Sequence, residues 1–211
     1  MSLYAHPLHQ MEADAAWRAL AAHDRLAILV VQGTNGFEAV HAPILAATEA
    51  DGHQSVKLHV ARANGIWRAA PGPAMLIAPG PQAYVTPSAY ETKRRTGRAV
   101  PTWNYEAVHA WGDLTAFDDA DALRALVAAL SDRHEAGRPE PWALSDAPED
   151  YTARLVAGIV GLSLRVTRIV GKAKLSQEKP AEDFAGVVQA LTESPDPRDA
   201  ETAAAMRRAR S

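Results

Sequence analysis

The segment VPTWNYEAVHAWG, residues 100–112, constrains the fold more than any other part of the chain. From residue 103 onward, the alternation of a strand separates a face rich in rings from a face of shorter side chains. We expect Trp111, on the ring-rich face, to be a core residue. Polar groups are costly to bury without a partner, so four other side chains are predicted to contact a planar ligand. These four are Trp103, Asn104, Tyr105 and His109.

Turn signals divide much of the remaining chain into short segments with strand patterns. One of these signals, Asn35-Gly36, is typical of a hairpin turn. Because parallel strands need long crossover connections, the short connections favour antiparallel pairing. The run Pro79-Gly80-Pro81 is predicted to separate two short strands. The further predicted strands cover residues 25–31, 38–45, 55–62, 74–78, 82–86 and 161–171.

Helical patterns lie mainly at the two ends of the chain and after the ring-rich strand. The predicted helices cover residues 10–23, 118–135, 150–157, 181–191 and 200–210. Six or more short strands with helices around them predict a mainly β (α+β) fold, an antiparallel barrel with peripheral helices. We expect a single domain over residues 1–193, followed by a helical tail over residues 194–211.

Composition and motifs exclude several classes of function. The chain has no cysteine, which excludes disulfides and thiolate chemistry. A net charge of -3 gives no overall attraction to nucleic acid or anionic lipid. The polar opening predicts neither a signal peptide nor a membrane anchor, so we expect a cytoplasmic protein. There is no phosphate-binding glycine loop, HExxH pair or GxSxG elbow, and we therefore expect no nucleotide triphosphate, metal site or hydrolase activity.

Several cations could form charge-assisted bonds with a phosphate group, while the rings could stack on a planar ligand. These cations are Arg62, Lys93, Lys172 and Lys174. Each of them taken alone also fits an ordinary surface charge or an ion pair. By the same reasoning, His59 taken alone fits a core imidazole with satisfied hydrogen bonds.

Three strings, GPQAYVTPSAY, VPTWNYEAVHAWG and GKAKLSQEK, together resemble the PaiB-type FMN-binding negative transcriptional regulators. They stand in the family's order, and the resemblance extends over nearly the whole chain. It implies an FMN-binding split β-barrel like that of pyridoxamine-phosphate-oxidase-related flavoproteins. It also implies a homodimer with FMN bound at the subunit interface.

The resemblance assigns the residues that would bind FMN, motif by motif. The backbone beside His41 would run along the isoalloxazine ring, and the loop after the last strand would reach the same or the partner's site. The full set is His41, Pro43, His59, Arg62, Asn64, Tyr84, Ser88, Lys93, Trp103, Asn104, Tyr105, Lys172, Lys174, Ser176 and Gln177.

Three functions follow as hypotheses. The first is a negative transcriptional regulator that acts as an FMN-binding homodimer. The second is a flavin-dependent oxidoreductase acting on a small molecule, and the third is an interaction module with a degenerate site. Direct DNA contact would need a basic patch, for which KRRTGR (93–98) and MRRAR (206–210) are the candidates. Both segments also fit a solvated loop and a frayed helix end, which we favour.

Overall fold

A computed structural model describes residues 4–34 and 36–210, and within them the chain forms eight β-strands and six α-helices. The strands are β1 (Gln10–Met11), β2 (Ala27–Gly33), β3 (Gly36–Ala42), β4 (Leu45–Thr48), β5 (Gln54–Ala61), β6 (Gly72–Val85), β7 (Thr102–Phe117) and β8 (Ile159–Lys174). The helices are α1 (Ala13–Ala21), α2 (Glu91–Thr96), α3 (Ala120–Glu135), α4 (Glu149–Ala157), α5 (Ala181–Thr192) and α6 (Pro197–Arg210).

The strands form one sheet in the order β3-β2-β6-β7-β8-β5-β4, and β1 pairs separately with β8. The pairings of β2 with β3 and β6, and of β5 with β4 and β8, are antiparallel. Leu58 on β5 lies opposite Leu162 on β8, and both side chains are fully buried. The predicted antiparallel sheet with peripheral helices is therefore confirmed.

The chain divides into two compact units. The first unit consists of the described parts of residues 1–16, 79–108 and 170–211, and the second of residues 17–78 and 109–169. The long strands β6, β7 and β8 each contribute to both units. In the part of the chain that the structure describes, no helix is long and apolar enough to span a membrane.

The core of the first unit is a cluster that joins β6 to the C-terminal helices. Val187 of α5 and Met206 of α6 are both fully buried in it. The last helix is therefore part of this core, although the predicted boundary at residue 194 falls just before it. The second unit has its own core, in which Leu123 of α3 is buried and Asp119 caps that helix by accepting from the backbone N–H of Ala122.

The proline-rich run at 79–81 does not divide a strand, because β6 is continuous from Gly72 to Val85. The pairing of β6 with β2 covers only residues 74–77 of β6. Pro79 and Pro81 lie beyond these residues, so their missing N–H groups do not interrupt the hydrogen bonds to β2. The prediction of two short strands is therefore wrong.

Three further differences concern element boundaries. The predicted helix at residue 10 begins at Ala13, because Gln10 and Met11 form β1 instead. The predicted strand 38–45 is interrupted around Pro43. Helix α2 covers residues 93–96 of the segment 93–98 that we expected to be a loop. Of the predicted hairpin turn, Asn35 lies outside the described residues.

Candidate functional site

An exposed aromatic pair lies in the first unit. Trp103 of β7 is 54% exposed and Tyr84 of β6 is 50% exposed. Their ring centroids are 6.0 Å apart, and the rings meet edge to face at 69°. Large rings left in water at this level are available to stack on a planar ligand.

Two lysines of β8 contact the same end of β7. The Nζ atom of Lys172 is 5.3 Å from the ring centroid of Tyr105 and donates to the backbone carbonyl of Tyr4 at 2.9 Å. The Nζ atom of Lys174 donates to the carbonyl of Trp103 at 3.1 Å and to the hydroxyl of Thr102. Within the described residues, neither ammonium group forms a salt bridge with a carboxylate.

We call the five side chains Tyr84, Trp103, Tyr105, Lys172 and Lys174 the aromatic–lysine cluster. Within the described residues, its two ammonium groups bond to neutral oxygens and, for Lys172, lie over aromatic rings. Trp103 and Tyr84 add an exposed apolar surface in the same unit. A phosphorylated planar molecule matches both properties.

Three more predicted residues lie beneath this cluster in the first unit, where Asn104 and Ser176 are buried and Gln177 is partly buried. Asn104 is fully buried, and its Oδ1 accepts a hydrogen bond from the Ser176 hydroxyl at 3.0 Å. The Nδ2 of Asn104 donates to the sulfur of Met206 at 3.3 Å. The side-chain amide of Gln177 donates to the carbonyls of Ala173 and Leu8 at 2.7 and 2.9 Å. These side chains hold the end of β8 in place, and their polar groups are already occupied.

The loop between β6 and β7 carries two predicted residues that are exposed. Ser88 lies in a short 3-10 helix, and its backbone N–H donates to the Thr86 hydroxyl oxygen at 3.4 Å. Lys93 is on α2. On the same helix, Arg94 forms an ion pair with Glu91 at 2.6 Å, and Arg95 forms one with Glu182. Much of the positive charge of this basic segment is therefore neutralised.

The remaining predicted residues belong to the second unit. His41 is exposed on β3, and Pro43 lies just after this strand. The guanidinium group of Arg62 donates to the carbonyls of Ala157 and Ile159, both at 3.1 Å. The carbonyl oxygen of the Asn64 side chain caps a 3-10 helix. Arg62 and Asn64 therefore stabilise local backbone.

His59 of β5 lies in a cavity of about 250 Å³ in the second unit. Its Nδ1 atom is buried without a hydrogen-bond partner among the described residues. Burial lowers the pKa of this imidazole below its usual value. No periodic pattern in the sequence indicates this cavity, whose other lining residues come from α3, α4, the segment 142–147 and the start of β8.

The prediction that Trp111 is a core residue is wrong, because this ring is only half-buried. The guanidinium carbon of Arg168 lies 3.7 Å from the ring centroid, which is a cation–π contact. His109 lies 5.8 Å from Trp111, and burial lowers the pKa of its imidazole. The ring-rich face of β7 is thus partly open in the second unit, and a cation covers part of it.

Comparison with known proteins identifies relatives along most of the chain. Residues 3–168 match the family described as "Putative FMN-binding domain". An uncharacterised protein of Aspergillus fumigatus is 38% identical over 64% of this chain, but the match spans only 58% of that relative. The protease synthase and sporulation protein PAI 2 of Bacillus subtilis is 29% identical over 75% of this chain and 74% of its own length.

Solved structures share the fold at low sequence identity. The flavocytochrome Anf3 of Azotobacter vinelandii has a TM-score of 0.56 at 14% identity, covering 88% of this chain and 78% of its own. An FAD- and haem-binding protein of Mycobacterium smegmatis has a TM-score of 0.55 at 18% identity, covering 84% and 79%. The predicted split-barrel fold and the predicted cofactor, FMN, are confirmed. The chain belongs to the family of FMN-binding domains that includes the PaiB-type proteins.

Proposed function

We propose that the aromatic–lysine cluster is where this chain holds FMN. The observation that supports the proposal is an exposed aromatic pair in the same unit as two lysines that form no salt bridge within the described residues. Trp103 and Tyr84 would provide the apolar contact for the isoalloxazine ring. Lys172 and Lys174 would provide the charge-assisted bonds to the phosphate. Bound FMN supplies one- and two-electron redox chemistry.

The buried residues beneath the cluster have a positioning role in this proposal. Trp103, Asn104 and Tyr105 follow one another on β7, so fixing the Asn104 side chain in the core directs its two neighbours to the opposite face. Ser176 fixes Asn104 through its hydroxyl group. Lys174 is bonded to the Trp103 carbonyl, so the same contacts fix the ammonium group relative to the ring.

An FMN titration of the purified protein tests the site. We expect saturable binding with one FMN per chain, followed by the change in flavin fluorescence. Trp103→Ala should weaken binding roughly tenfold or more, because a large stacking surface is lost. Trp142→Ala is the matched control, since that ring is also exposed and belongs to the second unit. Equal affinities of the two variants would contradict the proposal.

We propose further that the FMN-bound protein is a cytoplasmic homodimer that negatively regulates transcription. The resemblance to PaiB-type regulators supports this role, as does the relative named for protease synthesis and sporulation. Phe37 of β3 is 83% exposed at one end of the strand order, where a second copy could cover it. The test is light scattering with and without FMN, where a monomer under both conditions would contradict the dimer.

Regulation through direct DNA contact has less support, since Arg94 and Arg95 of the basic segment are paired with Glu91 and Glu182. A fluorescence anisotropy titration with duplex DNA at several salt concentrations measures it. Binding that weakens steeply with salt would indicate phosphate contacts. No binding at low salt would indicate that regulation acts through another partner.

A flavin-dependent oxidoreductase is the alternative, and the exposure of Trp103 and Tyr84 is the observation that favours it. Flavin bound against these rings would stay open to a small substrate and would supply redox chemistry. Bleaching of the flavin absorbance by NADPH or NADH without oxygen would support an enzyme. A flavin that stays oxidised under those conditions would favour the regulatory role.

A further inference from the structure

The second unit contains a cavity of about 250 Å³ that the FMN proposal does not use. Strands β5 and β8, helices α3 and α4 and the segment 142–147 enclose it. Its lining residues are His59, Val127, Ser131, Trp142, Leu144, Ala147, Tyr151, Thr152, Leu155, Val156 and Ile159. Most of these are apolar, and no lysine, arginine, aspartate or glutamate of the described residues is among them.

The size and charge of the cavity exclude FMN as its occupant. A cavity of about 150 Å³ lined by apolar side chains binds benzene, so this one suits a slightly larger ring system. It is too small to enclose a flavin with its ribityl phosphate. A phosphate group would also need a cation, and the lining has none.

The imidazole in the cavity wall has no hydrogen-bond partner within the described residues. His59 lines the cavity, and its buried Nδ1 atom is one of the ring nitrogens left without a bond. The Thr152 hydroxyl, by contrast, already donates to the carbonyl of Glu149 at 2.9 Å. An imidazole that has no partner in the protein is available to bond to a ligand in the cavity.

Aromatic rings mark the opening of the cavity. Trp142 is 42% exposed and Tyr151 is 50% exposed, although both line it. Leu155 of α4, also a lining residue, is 56% exposed. These three side chains leave a path from solvent and offer ring faces to a planar molecule.

We infer that this cavity binds a small, uncharged, planar aromatic molecule whose single N–H or O–H group bonds to the imidazole of His59. The imidazole is neutral near neutral pH, because burial lowers its pKa. A neutral imidazole has one nitrogen that can accept from such a group, and the rings of Trp142 and Tyr151 would contact the ligand's faces. The inference does not depend on the FMN proposal, since it rests on a different unit of the chain.

Calorimetric titration with indole and with indene tests the inference. Both probes are bicyclic and planar, but only indole has an N–H group. The full-length protein should bind indole saturably below about 1 mM and prefer it to indene about fivefold or more, the effect of one hydrogen bond. His59→Leu should remove that preference. His134→Leu is the matched control, since His134 is exposed on α3 and does not line the cavity.

A measurement on the unsubstituted protein avoids dependence on how His59→Leu folds. Nuclear Overhauser effects from bound indole should reach the methyl groups of Val127 and Leu155. Effects confined to other residues, an indole preference that survives in His59→Leu, or no saturable binding would each overturn the inference.

Parallel FMN titrations separate this site from the flavin site. Trp142→Ala should weaken indole binding and leave FMN binding unchanged, and Trp103→Ala should do the reverse. If FMN displaces indole, the cavity belongs to the flavin site and the inference of a separate ligand is overturned. If no variant takes up FMN while indole still binds, the FMN proposal fails alone.

Discussion

Replacing Ser176 tests how the core of the first unit positions the proposed FMN site. The side chain is 2% exposed, and its hydroxyl is the donor to Asn104 Oδ1 at 3.0 Å. Ser176→Ala leaves that buried oxygen without this donor, which costs about 2 kcal/mol. For a chain of 211 residues this corresponds to a fall in the melting temperature of roughly 4–8 °C.

Ser176 also has a backbone φ of 59°, in the left-handed region that favours glycine. Ser176→Gly loses the same hydrogen bond but relieves the backbone strain. Glycine also raises the entropy of the unfolded chain, which offsets part of this gain. Ser176→Gly should therefore be roughly 0.5–1 kcal/mol more stable than Ser176→Ala. Urea unfolding of both variants at one pH measures the cost of the lost hydrogen bond and the gain from the relieved backbone strain. A Ser176→Ala variant within about 0.5 kcal/mol of the parent, or a less stable glycine variant, would refute the reasoning.

Two further predictions concern the second unit. Gly112→Ala would bring a Cβ to 1.9 Å from the carbonyl oxygen of Arg165, so we expect a loss of about 1–3 kcal/mol or more in urea unfolding. An unchanged urea midpoint would show that β7 and β8 move apart at this position without a loss of stability. Burial lowers the pKa of His23, His59 and His109 below 6.5, so the unfolded chain binds more protons as the pH falls through that value. Stability should therefore fall between about pH 7.5 and 5.5 in guanidinium unfolding, and a rise over this range would contradict the assignment.

Much of the sheet follows from the pattern of side chains along single strands. On β7, alternation predicts that Trp103 and Tyr105 share one face and that Asn104 and Val108 share the other. Trp103 and Tyr105 are indeed more exposed than Asn104 and Val108. The strands joined by short connections are antiparallel, as the turn signals predict. Local periodicity is sufficient for β7 because buried residues alternate with more exposed ones along much of this strand.

The predicted role of each polar residue depended on contacts distant in sequence. Asn104 and Ser176 are 72 positions apart, and nothing local shows that they satisfy each other in the core. Trp111 differs from a core ring because Arg168, on another strand, covers it. The cavity around His59 also depends on residues brought together from α3, α4 and β8. Such features follow from tertiary packing and not from spacing.

Recognition of the FMN phosphate by Lys172 and Lys174 can be measured as the ratio of the riboflavin and FMN dissociation constants. These two molecules differ only in the phosphate group. We predict that the parent protein prefers FMN about tenfold or more and that Lys172→Met/Lys174→Met binds both equally. Lys57→Met, which removes a lysine paired with Glu49 at 2.7 Å, should keep the preference. A double variant that still prefers FMN as strongly as the parent would contradict the account.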